Sequence, residues 1–290
     1  MLLAVPELPE VESLRRSLTP LIGRRVVSLD VARWDIVAPT SRQRDPAARA
    51  AQSPQRNHHS LLVGARITEL RRHGKHLAIL ADDGRALDVH LGMTGQLLLR
   101  APDAPPATGG HIHLTWTLDD RSALAFRDPR RFGGIWAHPT LDALLQSRWA
   151  TLGPDALTLT ADHLAQSLGA TARSIKAALL DQGVAAGIGN IYADESLFRA
   201  GIRPTRVARR LTADQIHTLA AAVRSTLAQA IEAGGSTLRD FVRADGAPGA
   251  YQTGHAVYGR AGLPCTSCGS VLKSAQIAQR TTVWCSRCQR

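Results

Sequence analysis

The sequence predicts an α+β protein with an N-terminal β-sandwich, a helical second half and a four-cysteine β-hairpin module at the end. Three observations carry this. Short β-like runs separated by turn residues fill positions 25–127, helical periodicity takes over after position 152, and two Cys-x2-Cys pairs occupy the last 26 residues. At 290 residues the chain has room for two cores and a small appended module.

The first element is a short amphipathic helix. Val11, Leu14 and Leu18 recur at helical spacing, Arg15 and Arg16 lie on the other side, and Pro20 and Gly23 end the pattern. The runs RVVSLDVAR, LLVGARITELRR, HLAILAD, ALDVHLGM, HIHLTWTL and ALAFRD then read as strands of an antiparallel sandwich, with turn signals such as DDGR between them. Segment 38–59 is polar, contains proline and has no period, so a mobile loop is expected there and another at 101–110. The change of class puts the boundary between the halves near 137–151. ADHLAQSLG, ARSIKAALLDQG, YADESLFRAG and TADQIHTLAAAVRSTLAQAIEAGG read as helices, the last with Thr212 as N-cap and Gly234 as stop. GVAAGIGN places three glycines beside Asn190. It reads equally as a plain connection between helices or as backbone N–H groups that cradle a phosphate. Residues 236–258 are Gly-rich and irregular, again as expected of a mobile loop, and no internal repeat is present.

Charge narrows the function classes. Lys plus Arg is 35 against 24 acids, a formal +11 that suits a polyanionic partner or a merely solvated basic surface. Nearly all of it is arginine, which makes Lys75, Lys176 and Lys273 conspicuous, because an amine of adjustable pKa must be a lysine or the chain terminus. No cationic amphipathic helix suggests a membrane surface, no apolar run reaches ~18 residues, and MLLAV has no basic n-region. A cytoplasmic protein that engages no membrane is expected.

Cys265, Cys268, Cys285 and Cys288 follow the spacing C-x2-C-x16-C-x2-C. Each pair presents two thiolates to one ion, and the pairs lie the right distance apart to close a tetrahedral site across a hairpin, so one structural Zn(2+) is expected. All four cysteines are used, which fits a reducing compartment. KSAQIAQRTTVW would form the hairpin with Arg280 near its tip, either as a DNA probe or as part of an inert staple.

PELPEVE, HLGMTG (90–95), DPRRFGG (128–134), GIGNIYADESLFRAGI (187–202), DGAPG (245–249), VYGRAGLPC (257–265) and the four-cysteine finger occur in that order, and in this they resemble the formamidopyrimidine-DNA glycosylases. The resemblance runs from Pro6 to the C-terminus. It implies a sandwich catalytic domain over 6–136, a helix-two-turn-helix domain over 151–236, a lesion-recognition loop and connector over 237–261, and a zinc finger over 262–290, with DNA between the halves. It further implies a monomeric base-excision-repair enzyme of the bacterial nucleoid. Such an enzyme removes 8-oxoguanine and formamidopyrimidines from double-stranded DNA and cuts abasic sites by β,δ-elimination.

In that family the proline of PELPE is the N-terminal residue, and its secondary amine attacks C1′ of the damaged nucleotide. At pH 7 roughly 10% of an α-amine of pKa ~8 is neutral, against about 0.04% of a lysine. At position 6 the proline nitrogen is an amide with no lone pair to give. The expectation is therefore that translation starts at residue 5, a valine codon read as methionine, whose removal exposes Pro6. Alternatively, MLLA is retained and the protein is a non-catalytic binder of damaged DNA or uses another amine. A zinc-ribbon regulatory protein is the third reading.

The resemblance assigns Glu7 as general acid and base, with Glu10 supportive, although a carboxylate serving a helix N-terminus is the plain reading of either and suits Glu10 better. Lys75 would contact phosphate beside the lesion. Arg280 would grip phosphate and donate a proton in δ-elimination. Asn190 and Arg173 would hold the backbone, His111 would touch DNA, and Met93, Arg130, Arg131 and Phe132 would enter or flank the stack vacated by the extruded base. One departure stands out. Ahead of Ile175 and Lys176 the family often has a lysine-rich run, whereas GATARSIK offers only Arg173 besides.

Overall fold

The computed structural model describes residues 5–38, 57–102, 110–237 and 241–290. MLLA and most of the loops expected at 38–59 and 101–110 lie outside the described residues. The chain forms two compact units, one of residues 11–151 and 240–248, the other of 1–10, 152–239 and 249–290. The crossing from one to the other falls within helix α1 (Leu8–Ser17).

The first unit is the expected sandwich. β1 (Val26–Val31), β7 (Ile112–Leu118), β8 (Ala123–Arg127) and β6 (Gln96–Arg100) form one sheet in the order β1-β7-β8-β6. The other runs β2-β9-β5-β4-β3, from β2 (Val37–Ala38), β9 (Gly134–His138), β5 (Ala86–His90), β4 (His76–Ala81) and β3 (Ile67–His73). All pairs are antiparallel except β2 with β9. Val26, Leu29, Leu114 and Phe126 of the first sheet share one core with Ile67, Ile79, Leu87 and Ile135 of the second, capped by Val11, Leu14 and Leu18 of α1. β4 shows no alternation because both of its faces are covered. Ala78 and Leu80 turn outward against Leu144 of helix α2 (Leu141–Leu144), so the run is continuously apolar.

In the second unit α3 (Ala161–Gly169), α4 (Ile175–Leu179), α5 (Asn190–Arg199) and α6 (Ala213–Glu232) surround a core that includes Leu164, Ile175, Tyr192, Leu219, Val223 and Leu227. Thr160 and Ser174 cap their helices, and Thr212 and Gln215 form a capping box for α6. Alone among these four, α5 starts from a glycine with no side-chain cap of its own. β10 (Lys273–Ile277) pairs with β11 (Arg280–Trp284), and Val257, Leu272, Val283 and Cys285 make the small core of this finger. Among the described residues no helix is long and apolar enough to cross a membrane.

Candidate active site

The missing cap of α5 comes from the other end of the chain. The Glu7 carboxylate accepts the N–H groups of Gly189 at 2.6 Å, Ile191 at 2.8 Å and Tyr192 at 3.3 Å, so its charge sits at the positive end of the helix. Leu8 donates its N–H to the Gly187 carbonyl at 3.1 Å, which docks the PELPE backbone beside the GIGN turn. This close approach is why the turn needs glycine. A Cβ at Gly189 would lie 2.4 Å from the Glu7 carboxyl carbon, and one at Gly187 would lie 2.6 Å from the Leu8 side chain. Of the two sequence readings of GVAAGIGN, the phosphate cradle loses the Gly189 N–H and the next two donors of the helix start, Ile191 and Tyr192, since the protein's own carboxylate already holds them. Pro6 is buried beside this clamp.

Glu10 completes the N-terminal site. One oxygen accepts the Glu7 N–H at 2.8 Å, within the first turn of α1, and the other accepts the Tyr192 hydroxyl at 2.6 Å and the Ser236 N–H at 2.7 Å. The helix-terminus reading therefore holds for both glutamates, but Glu7 serves a helix far along the chain and only Glu10 serves its own. Burial, then the neighbouring charge of Glu7, raises Glu10 to about 7. Burial and the same carboxylate push the Tyr192 hydroxyl well above its usual range.

Two buried side chains, Lys176 and Asp194, and half-buried Asn190 fix the finger strand that carries Arg280. Lys176, fully buried, pairs with Asp194 at 2.6 Å and reaches the Thr281 carbonyl at 3.3 Å. Asn190 Nδ2 donates to the same carbonyl at 3.0 Å, and Asp194 accepts the Val283 N–H at 3.0 Å. Burial raises Asp194 to about 6 and lowers Lys176. Glu195, next along α5, accepts the N–H groups of Ala256, Val257 and Tyr258 at 2.8–2.9 Å. Lys176, Asp194 and Glu195 carry no assigned role in the sequence reading. The scarcity of lysine was the only signal for the first, and for the acids there was only an unbroken polar run, DES, in the middle of a helix.

Arg280 itself is exposed, directly after the turn residues Ala278 and Gln279, both left-handed at φ 49° and 58°. Arg173 lies at the surface, where it pairs with Asp181 at 2.9 Å. The four cysteine sulfurs lie within 4.8 Å of one another, with Cys265 to Cys288 at 3.9 Å and Cys268 to Cys285 at 3.5 Å. A tetrahedron of zinc–sulfur bonds of about 2.3 Å has edges of about 3.8 Å, so the donor set fits one zinc ion.

The sandwich unit holds the other assigned residues. Lys75 sits half-buried in the turn between β3 and β4. The LGMTG and RRFGG loops meet backbone on backbone. A Cβ at Gly92 would lie 2.3 Å from the Phe132 carbonyl carbon, and one at Gly133 would lie 2.7 Å from the His90 oxygen. Buried Asp128 organises them, accepting the Thr94 hydroxyl at 2.5 Å and the N–H groups of Gly133 at 2.8 Å and Arg130 at 3.3 Å. Phe132 is thereby held 56% exposed, with the Arg130 guanidinium 4.7 Å from its ring centre, so it is not a core residue. Met93 is half-buried on the adjoining loop, and Arg131, left-handed at φ 56°, pairs with Asp35 at 2.9 Å. His111 is exposed and left-handed at φ 77° just before β7. His90 accepts the Gly92 N–H at 3.0 Å on Nδ1, and burial, then His76, lowers it to about 3.

Comparison with known proteins accounts for nearly the whole chain. Residues 5–135 match the formamidopyrimidine-DNA glycosylase N-terminal domain, 152–242 the formamidopyrimidine-DNA glycosylase H2TH domain, and 262–290 the zinc finger found in FPG and IleRS. Formamidopyrimidine-DNA glycosylase of Xanthomonas campestris pv. campestris (strain B100) is 42% identical over 290 residues, which cover 99% of this chain and 100% of that protein. That of Stenotrophomonas maltophilia (strain K279a) is 44% identical over 292 residues, with the same coverage. The crystal structure of the MutM (Fpg) protein from Thermus thermophilus is 40% identical and superposes with a TM-score of 0.80 over 98% of each chain. Lactococcus lactis Fpg in complex with DNA containing an abasic site is 30% identical, with a TM-score of 0.83 over 98% of this chain and 99% of that one.

Proposed function

Because the chain belongs to the formamidopyrimidine-DNA glycosylase family, we infer that it is a bifunctional DNA glycosylase and AP lyase of base excision repair that acts as a monomer on double-stranded DNA at the nucleoid. Its substrates are oxidised purines, 8-oxoguanine and formamidopyrimidines, and abasic sites. The observation that best supports this chemistry is the Glu7 clamp, which docks the PELPE segment with Pro6 next to a carboxylate held by three backbone N–H groups.

In a chain that begins at Pro6, the proline is a secondary amine. It attacks C1′ of the extruded nucleotide, the base departs, and the resulting iminium activates the sugar for elimination at both phosphates. Glu7 exchanges protons at the sugar, and its clamp fixes the carboxylate relative to Pro6. Lys75, Asn190, Arg173 and Arg280 contact phosphates. The Asn190 amide and the Arg280 strand are preset by their bonds to the finger, while Arg173 must first give up Asp181. His111 touches the strand from the sandwich unit, and Met93, Arg130, Arg131 and Phe132 occupy or flank the vacated stack. Zinc holds the finger and takes no part in the chemistry.

The test is covalent trapping. Protein confirmed by mass to begin at Pro6 is expected to give a borohydride-reduced adduct with 8-oxoguanine duplex, and Pro6→Gly should lose most base release. No adduct from the intact Pro6 terminus would leave a damaged-DNA binder without this chemistry.

A further inference from the structure

Behind Glu10 lies an unbroken chain of exchangeable protons that the mechanism above does not use. The Tyr192 hydroxyl is 2.6 Å from Glu10 Oε1 and 3.3 Å from Ser236 Oγ, which in turn is 3.2 Å from His255 Nε2. All four residues are buried, His255 at 8% exposure and the others less. The two hydroxyls can each donate in either direction, and the imidazole can donate or accept at Nε2. Among the described residues the groups facing the two ends are few. Glu10 meets Glu7 besides its bonded partners, and His255 lies edge-on to the rings of Tyr251 and Tyr258, at 5.6 and 5.5 Å, with the Glu195 carboxylate nearby.

We propose that His255, Ser236, Tyr192 and Glu10 form a proton relay, through which the protonation of His255 sets that of the carboxylate holding the Glu7 backbone. In one setting every bond points inward, from imidazolium to Ser236, to Tyr192, to a Glu10 carboxylate. In the other every bond points outward, from a neutral Glu10 acid to a neutral imidazole. Passing between them breaks the Nε2–H, Ser236 O–H and Tyr192 O–H bonds and forms new O–H bonds on Ser236, Tyr192 and Glu10. No atom other than hydrogen is displaced, and one positive and one negative charge disappear together. Burial raises Glu10 and lowers His255, so it favours the neutral acid and the neutral imidazole over the charged pair. An ionised Glu10 binds the Glu7 N–H as a charged acceptor and a neutral one binds it more weakly. His255 is thus a positioning residue for Pro6 and Glu7, placed on the 241–258 segment.

Its use in catalysis rests on the function proposed above, but the coupling does not, so the decisive test is on the DNA-free full-length protein. With isotope-labelled histidine, the NMR titration midpoint of His255 is expected to fall by about one pH unit in Glu10→Gln, because without the carboxylate at its end the chain of inward-pointing hydrogen bonds no longer stabilises the imidazolium. The same comparison in a Ser236→Ala background should shrink to under about 0.3 unit, since the chain is cut while the charges stay in place. No shift in the first comparison, or an undiminished shift in the second, overturns the relay. In protein that forms the borohydride adduct, the acid limb of the pH–rate profile for base release should lose one ionisation in His255→Gln, and an unchanged limb also overturns it. Absence of the adduct with the NMR coupling intact would instead refute the glycosylase chemistry and leave the relay standing.

Discussion

Both units bury carboxylates, and Asp88 of the sandwich and Glu10 of the helical unit are treated in opposite ways. In the sandwich, Asp88 is fully buried, but His76 at 3.0 Å, Arg148 at 3.0 Å and Trp149 at 3.2 Å surround it, and these partners overcome burial to hold it down at about 2. Glu12 likewise faces Arg15, Arg16 and Arg72 and sits at about 2 against the pull of burial. In the helical unit, Glu10 has hydroxyl and backbone donors but no cation among the described residues, and Glu7 as a like-charged neighbour, and it rises to about 7. Among these three acids the difference lies in the partners rather than in depth: guanidinium partners hold Asp88 and Glu12 down, whereas the neutral donors of Glu10 leave it able to exchange a proton near neutrality. Asp194 lies between, because its one cation, Lys176, is itself buried and burial still raises the acid to about 6. Proton chemistry is therefore possible at the PELPE end, and the sandwich acids brace the sheets.

The sharpest break in this comparison would come from crossing the two roles. Glu7→Gln is expected to slow single-turnover base release roughly 10²- to 10⁴-fold. Asp88→Ala strands the positive charge of Arg148 and leaves His76 Nδ1 without its partner, and should lower unfolding free energy by about 3–5 kcal/mol while the folded fraction still excises base. Folded Asp88→Ala protein without base release would erase the distinction.

Denaturation as a function of pH sharpens the same contrast through its sign. Glu10 rises in the folded state from 4.5 to about 7, so its contribution is fully present below about 4.5 and is lost as pH climbs through 7, on the order of 3 kcal/mol in all. Asp88 falls from 3.8 to about 2, so its contribution, on the order of 2 kcal/mol, is present above about 3.8 and is lost as pH drops through 2. Glu10→Gln should flatten the neutral slope and leave the acid one, and the comparison fails if both substitutions flatten the same limb. The smallest effects belong to the surface. Arg280→Ala should weaken damaged and undamaged duplex alike and reduce the salt slope by about one. Phe132→Ala should change stability by less than about 1 kcal/mol, spare non-specific affinity and slow base release from paired duplex only.

Much of the fold was legible because it rests on local pattern. The helices with Thr212-type caps, the alternating strands and the cysteine spacing each carry their own signal within a few residues. Strands β2, β6 and β9 and helix α2 escaped, the first being two residues long and paired in parallel, and the others lying in runs whose apolar faces are shared with neighbours. Motif order pointed to Pro6, Glu7 and Phe132. What it could not show was how they are held, because Glu7 meets Gly189 and Glu10 meets Ser236 across more than 180 residues. Asp194 and Glu195, which look like a solvated helix face on paper, are buried and bonded to the finger strand and to residues 256–258.

The interlocked glycines of the sandwich unit also bear on inheritance. Because Gly92 and Gly133 leave no room for even a methyl group between the two loops, the tips that carry Met93 and Phe132 can be exchanged one at a time only if both glycines are kept. A chimera with a crossover anywhere between positions 95 and 128 joins one parent's loop to the other parent's surface. It should be tolerated only where both parents keep glycine at these two positions, so the pair is transplanted, lost or diversified as a single cassette.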